Sequence, residues 1–441
     1  MIPSCVSLLL LLLLTGLAGA AESNITSTDS EPGRFIAVFD PSASDSEVQK
    51  CRQNMVAKMR KRSLETNQTE GAHQYYAVDT FRAMACETDA QTAAEMKNEF
   101  GPVSWVEPVM STSMPESAQD LANAEAFEPF ADKEEDDLKA INRIDNQPVN
   151  SNLGANITIY LLDTGCNNHV VFGGRARRAA NLVRTETAVD GSGHGTHTAG
   201  SAGGDGTGTA PRADIACVKI LDSAGKGSTA DIIGGFQFVY GDTMRTGRVG
   251  KCVVNMSVSS ARSEAVNQAA NALSGMCAIV TAAGNEATDA RGSSPASASN
   301  AITVGASNSS NDRLASFSNI GKLLDFSCPG VDVLSADFKN EQGLVPLSGT
   351  SMGMSLVPSA SISLSTDDPT ACPQAAGLCA VAISDSPTGA CTQCSTFCLQ
   401  TLQGMAAQEP LLSGVPADTT PLKIDTGSRV PIAKSVRRGR R

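Results

Sequence analysis

Five nearly continuous apolar runs govern what this chain can fold into. They are Ile157 to Leu162, Ala213 to Leu221, Lys251 to Val258, Ala278 to Ala283 and Ala301 to Gly305. Each is short and rich in Val, Ile, Leu or Ala, as a strand buried on both faces must be. Helical patterns lie between them. In Glu264 to Ser274, for example, Val266, Ala269, Ala270 and Leu273 share one face. Alternation of this kind predicts an α/β fold with an open parallel sheet flanked by helices. Ligands of such sheets sit beyond the carboxyl ends of the strands.

The first part of the chain is patterned differently. Val6 to Leu14 is apolar and ends in seven consecutive Leu, and Ala18-Gly19-Ala20 follows. We read residues 1–20 as a signal peptide, since the run is short for a membrane span. An uncleaved anchor is the alternative, and the amino terminus is the only positive charge in front of the run. Arg34 to Phe39 reads as a strand, Ser44 to Arg62 as a helix and Tyr75 to Phe81 as a strand. Thr88 to Phe100 reads as a helix and Val103 to Val106 as a short strand. Residues 21–113 are thus expected to form a small α+β module, ferredoxin-like in type. Residues 114–137 lack periodicity and end in Asp132-Lys-Glu-Glu-Asp-Asp137, an accessible acidic linker.

The 441 residues are 41% hydrophobic, enough for a sizeable core, and carry a net charge of −12. A nucleic-acid partner is not expected, because such proteins present a basic face. Beyond the signal, no stretch is long and apolar enough to span a membrane. Of 13 Cys, all but Cys5 would remain after signal cleavage, and in a secreted chain they are expected to form disulfides of unspecified connectivity. Cys391-x-x-Cys394 is weighed as a zinc motif and read as a disulfide pair, since no His follows it. Glycosylation sequons occur at Asn24, Asn67, Asn156, Asn255 and Asn308. Asn156 and Asn255 lie in or beside core strands and are expected to be unmodified.

Three segments carry chemistry. Leu161-Leu-Asp163-Thr-Gly165 places a carboxylate at the end of a buried strand. Asp190-Gly-Ser-Gly-His194-Gly-Thr-His197 is a Gly-rich turn entering a helix. Leu347-Ser-Gly349-Thr-Ser351-Met352 offers a hydroxyl. A serine hydroxyl needs a base to accept its proton, and that base needs an orienting carboxylate. An aspartic-type hydrolase would need a second strand-end Asp. Asp425-Thr-Gly427 is the sole second copy of that motif, and it leads into a polar tail.

Together these segments resemble the signatures of the subtilase family, nearest its proteinase K branch, over roughly Asp137 to Ser351. Gly208-Thr-Ala-Pro211, Val218-Lys-Ile-Leu221, Ala282-Ala-Gly-Asn285 and Ala315-Ser-Phe-Ser-Asn319 extend the likeness. The resemblance implies a subtilisin-like serine endopeptidase with Asp163, His194 and Ser351 as the triad. It implies Asn285 and the Ser351 N–H as oxyanion donors, and His197 as a structural residue. Peptide substrates would bind between Ser257-Val258-Ser259 and Gly225-Lys226-Gly227. Ala282, Ala283 and Gly284 would line a pocket for a fairly large apolar side chain, with Ser259-Ser260 narrowing its mouth where the family has Gly-Gly. Calcium would be structural, held by Asp325 and the carbonyls of Ser299 and Ala301, and the chemistry would need no cofactor. The N-terminal module would be an inhibitor and intramolecular chaperone, cleaved off between about Ser111 and Pro129. A secreted monomer is expected. The disulfide cysteines of that branch do not recur here in matching pairs, so no pairing is carried over.

The family pattern breaks after Ser351. There the family continues as Ser-Met-Ala-x-Pro-His in a helix, but Ser351-Met352 runs into Gly353-Met-Ser-Leu-Val-Pro358. The expected continuation reappears at Ala371-Cys-Pro373-Gln-Ala-Ala-Gly377. Removing Gly353 to Thr370 restores the motif in frame. We read 353–370 as a retained intron or gene-model error, with a genuine loop as the alternative. The peptidase domain is placed at 138–424 and a basic tail at 425–441. A second reading of the whole chain is a binding or decoy protein, impaired by the insertion.

Overall fold

The computed structural model describes residues 30–66, 71–113, 152–308, 311–331, 333–350 and 371–424. The signal, the acidic linker, the basic tail, Ser351 and the insertion lie outside the described residues, as do Asn24 and Asn67.

The N-terminal module runs β1 (Ser30–Phe39), α1 (Asp45–Thr66), β2 (His73–Val78), β3 (Phe81–Glu87), α2 (Ala90–Glu99) and β4 (Val103–Ser113). Its antiparallel strands stand in the order β4-β1-β3-β2, as the ferredoxin-like expectation requires. Two sequence readings need correction. Tyr75 to Phe81 is not one strand: Asp79, with φ at 47°, turns the chain there, and Phe81 begins a second strand. The strand from Val103 does not stop at Val106. It continues to Ser113 because partners far away in the chain take up its outer end.

The second region contains β5 (Thr158–Asp163), β6 (Ala176–Asn181), α3 (His194–Gly203), β7 (Asp214–Lys219), β8 (Lys226–Ser228) and α4 (Thr229–Thr246). It continues with β9 (Cys252–Met256), β10 (Ser260–Ala261), α5 (Glu264–Leu273), β11 (Ala278–Ala282), β12 (Ser293–Ser294), β13 (Ile302–Asn308) and β14 (Arg313–Leu314). Last come β15 (Phe326–Pro329), β16 (Val333–Ala336), β17 (Leu344–Leu347), α6 (Ala371–Asp385) and α7 (Cys394–Ala406). Strands β6-β7-β5-β9-β11-β13-β15 form a parallel sheet, with β14 antiparallel at its end. All five apolar runs are strands of it. From β5 the chain first builds one side of the sheet (β6, β7) and then the other (β9, β11), so the carboxyl end of β5 is where a site is expected.

Both faces of the sheet are dry. On one, Ile159, Leu161, Val253, Val280 and Val304 pack against α3, α6 and α7. On the other, Tyr160, Leu162, Val218, Val254 and Ile279 pack against α4 and α5. That second core extends into the N-terminal module: Ile36, Val38, Tyr76, Val78 and Val109 cover the outer faces of α4 and α5. Serine caps start both helices, Ser228 accepting from the Asp231 N–H and Ser263 from the Val266 N–H. Four disulfides brace this region, Cys166–Cys217, Cys252–Cys277, Cys379–Cys398 and Cys391–Cys394. The Cys391-x-x-Cys394 pair is therefore a bridge. Asn255 is fully buried, whereas Asn156 is exposed. Among the described residues no helix is long and apolar enough to cross a membrane.

Candidate active site

Asp163 ends β5 and His194 begins α3, so a strand terminus and a helix terminus meet. His194 Nδ1 lies 2.7 Å from Asp163 Oδ1, and both side chains are buried. The Thr164 N–H donates to the same carboxylate oxygen at 2.7 Å, and the Thr198 hydroxyl donates to Oδ2 at 3.3 Å. A carboxylate so placed holds the imidazole with Nδ1 protonated and turns Nε2 away as the acceptor. Nε2 has no hydrogen-bond partner among the described residues. An imidazole in this state can take a proton from a hydroxyl and return it to a leaving group.

The turn that presents His194 is organised by Asp190, a residue the motif reading passed over. Its carboxylate accepts from the Thr164 hydroxyl (2.8 Å) and from the N–H groups of Ser192 (3.0 Å), Gly193 (2.8 Å) and Thr196 (2.8 Å). An Asp opening a Gly-rich turn is the signal that would have found it. Gly193 has φ at 99°, which favours a residue without Cβ. Lys219, fully buried, donates from Nζ to the Thr164 carbonyl at 2.9 Å and pairs with Glu186 at 3.2 Å. His197 is structural, as expected. Its Nε2 donates to the carbonyls of Val333 (3.0 Å) and Val345 (3.1 Å), and burial pushes its pKa down to about 3.

Asn285 lies in the loop after β11. Its Oδ1 accepts from the Thr350 N–H at 2.8 Å and from the Thr350 hydroxyl at 2.6 Å. The residue before Ser351 thereby sets the orientation of the Asn285 amide. Asn319, also missed as a site residue, shapes the loop behind it. Its Oδ1 accepts from the N–H groups of Glu286 (3.1 Å) and Thr288 (2.9 Å), and its Nδ2 donates to the Ala283 carbonyl (2.9 Å). Ala282, Ala283 and Gly284 are buried along this wall. A Cβ on Gly284 would lie 2.3 Å from Asn319 Nδ2, so the wall has no room for one.

Thr350 also meets Cys372. The Cys372 N–H donates to the Thr350 carbonyl at 3.3 Å. With 353–370 removed, these two residues are four apart, the spacing of an α-helical hydrogen bond.

The two expected substrate edges are occupied. Strand β4 lies between them, with Ser111, Thr112 and Ser113 opposite Ser228, Gly227 and Lys226, and Thr112 opposite Ser260. The Thr112 hydroxyl donates to the Ser259 carbonyl at 2.6 Å. At one edge Ser260, just beyond Ser257-Val258-Ser259, carries the ladder and also pairs with Ser294. Gly225, with φ at 72°, turns the chain into the other edge. Next to these edges Glu107 reaches the start of α5, accepting from Ser263 and from the Ala265 N–H, and burial raises its pKa.

Asp325 directly precedes β15. Its Oδ2 accepts from the Thr303 N–H at 2.8 Å, and burial pushes its pKa up to about 6. Ala301 is buried and Ser299 exposed in the loop before β13. Among the described residues no group of three or more His, Cys, Asp or Glu side chains is arranged to hold a metal.

The profile of the subtilase family, a peptidase family, matches residues 154–414, more than half of the chain. This chain belongs to the subtilase family of serine endopeptidases. It is 35% identical to "Alkaline protease 1" of Aspergillus clavatus, over 77% of this chain and 84% of that protein. It is 39% identical to "Subtilisin-like protease 3" of Pseudogymnoascus destructans over 56% of this chain, and there it spans only 57% of the relative's length. A crystal structure of a cold-adapted subtilisin-like serine proteinase superimposes with a TM-score of 0.54 at 31% identity, covering 65% of this chain and 97% of that one.

Proposed function

We propose that this subtilase is secreted as a self-inhibited zymogen and cleaves peptide bonds through an acyl-enzyme on Ser351. His194 takes the Ser351 proton and later gives it to the leaving amine. Asp163 fixes the tautomer and stabilises the imidazolium. Asn285 Nδ2 and the Ser351 N–H hold the oxyanion, where losing one donor costs about 10²–10³ in kcat. Substrates add a strand between Gly225-Lys226-Gly227 and the Ser257–Ser260 edge.

The observation that carries the zymogen reading is β4. The N-terminal module inserts its last strand into the place a substrate strand would take, within the same chain that bears the Asp163–His194 pair. That supports residues 21–113 as a prodomain, with the processing bond proposed between about Ser111 and Pro129. Calcium is assigned to Asp325 with the carbonyls of Ser299 and Ala301. Hard oxygen donors suit it, and a buried carboxyl with a raised pKa is one that a cation would relieve. The hydrogen bond from Cys372 to Thr350 supports reading 353–370 as an insertion between two helix residues. Its length of stay matters, because a shift of about 1 Å at a nucleophile can cost about 10²-fold.

The test compares the chain as written with a form lacking Gly353 to Thr370. Both are expressed with the signal and assayed by fluorophosphonate labelling, self-processing and casein hydrolysis. Labelling at Ser351 with release of the N-terminal module is expected in the deleted form. Folded protein that labels in neither form would overturn the reading in favour of a decoy.

A further inference from the structure

Phe338 is a partly exposed aromatic residue beside the general base that the site described so far does not use. It sits in the loop between β16 and β17. Its ring rests on Gly193, the residue before His194, so closely that a Cβ on Gly193 would lie 2.3 Å from the ring. Its backbone is pinned. Asn167 Nδ2 donates to the carbonyls of Phe338 (3.2 Å) and Asp190 (2.9 Å), tying this loop to the turn that carries His194. The Asp337 N–H donates to the Gly343 carbonyl at 3.0 Å, and Asp337 Oδ1 accepts from the Lys339 N–H at 3.0 Å. The ring is therefore held ready rather than ordered on contact, which lowers the entropic cost of using it.

The turn Asp190–Gly193 has two flanks. At Gly191 stands Ser223, whose Cβ would be 2.8 Å from a Cβ placed there. Ser223 belongs to the loop entering β8, the edge that holds the acyl half of a substrate. At Gly193 stands Phe338, and the strand after its loop, β17, runs on to Gly349 and Thr350. A general acid at His194 protonates the leaving amine, so the peptide beyond the scissile bond departs past His194. With β8 on one flank, the other flank is the one it meets.

We infer that Phe338 forms an apolar wall for the leaving-group residues and selects large aliphatic or aromatic side chains just beyond the scissile bond. The inference rests on His194 acting as the acid–base group. Lys339 adds a positive charge at this rim, its Nζ 5.5 Å from the ring centroid, and disfavours basic residues there.

The experiment uses the self-processed enzyme, from whichever of the chain as written and the form lacking Gly353 to Thr370 processes itself, and two quenched fluorescent peptides. They share an acyl half and carry Leu-Leu or Gly-Gly after the scissile bond. The wild-type enzyme should favour Leu-Leu by about tenfold in kcat/KM, the usual scale for apolar pocket contacts. Phe338→Ala should bring that ratio close to one, and Phe338→Leu should keep most of it. An unchanged ratio in Phe338→Ala overturns the inference. Equal loss on both peptides also overturns it, because Phe338 would then merely position His194. If neither the chain as written nor the form lacking Gly353 to Thr370 cleaves either peptide, the acid–base reading itself has failed and the inference falls with it.

Discussion

The N-terminal module fills its own core with Met55, Met59, Met84 and Met96 beside Cys51 and Cys86, while the peptidase sheet fills its two cores with Val, Ile, Leu and Ala. Methionine is unbranched and adaptable, whereas β-branched side chains lock at χ1. The disulfides divide in the same way. All four bridges lie in the peptidase region, and Cys51 and Cys86 of the module are free thiols. One face of the module's sheet, moreover, is completed only by α4 and α5 of its neighbour. The lesson is that the covalent bracing was built into the part that carries the Asp163–His194 pair. The other part depends on its neighbour to cover one face of its sheet.

The strongest way to probe this contrast is to stop processing. His194→Ala should lower kcat by about 10⁶ and leave the two regions as one uncut chain, visible on a denaturing gel. Next comes the bracing. Replacing Cys166 and Cys217 together by Ala should cost the peptidase region about 2–5 kcal/mol, read as a lower Tm of the processed enzyme. If that Tm is unmoved, this disulfide does not brace the region. A smaller effect concerns the joint between the regions. Burial raises the Glu107 pKa in the docked state, so docking binds a proton and weakens as pH rises through that raised value. Dissociation of the cleaved module should therefore speed up with pH, and Glu107→Gln should flatten the profile. The smallest effect is calcium at Asp325. A raised pKa means that stability falls as pH climbs from about 4 through about 6, and a bound cation offsets this. The gain in Tm on adding calcium should be small at pH 5, larger at pH 8 and absent in Asp325→Asn.

Much of the architecture was legible because the buried parallel strands and the three motif segments announce themselves by local pattern. Asp163 and His194 were legible for the same reason, each at the mouth of an element with its own signature. What was not legible depends on distant partners. Strand β6, Ala-Arg-Arg-Ala-Ala-Asn, is too polar to read as a strand and exists because β7 pairs with it. The outer half of β4 is aperiodic and becomes a strand through β8 and β10. Asp190, Asn319 and Thr350 act through hydrogen bonds to loops that no spacing rule connects. The pairing of Ser260 with both Thr112 and Ser294 is likewise set by partners rather than by local pattern.

The contact between Cys372 and Thr350 has a consequence for how new sequence can enter such an enzyme. The start of α6 keeps a helical hydrogen bond to Thr350 across the point where the family pattern breaks. Thr350 and Cys372 are already side by side, so added length between them carries little span to bridge. Each doubling of such a loop costs only about 0.6 kcal/mol in closure entropy. The seam between Thr350 and Cys372 is thus a place where a gene can gain or lose a stretch of codons while the surrounding sheet keeps its register. What such an insertion puts at stake is the rate of a reaction rather than the integrity of a fold.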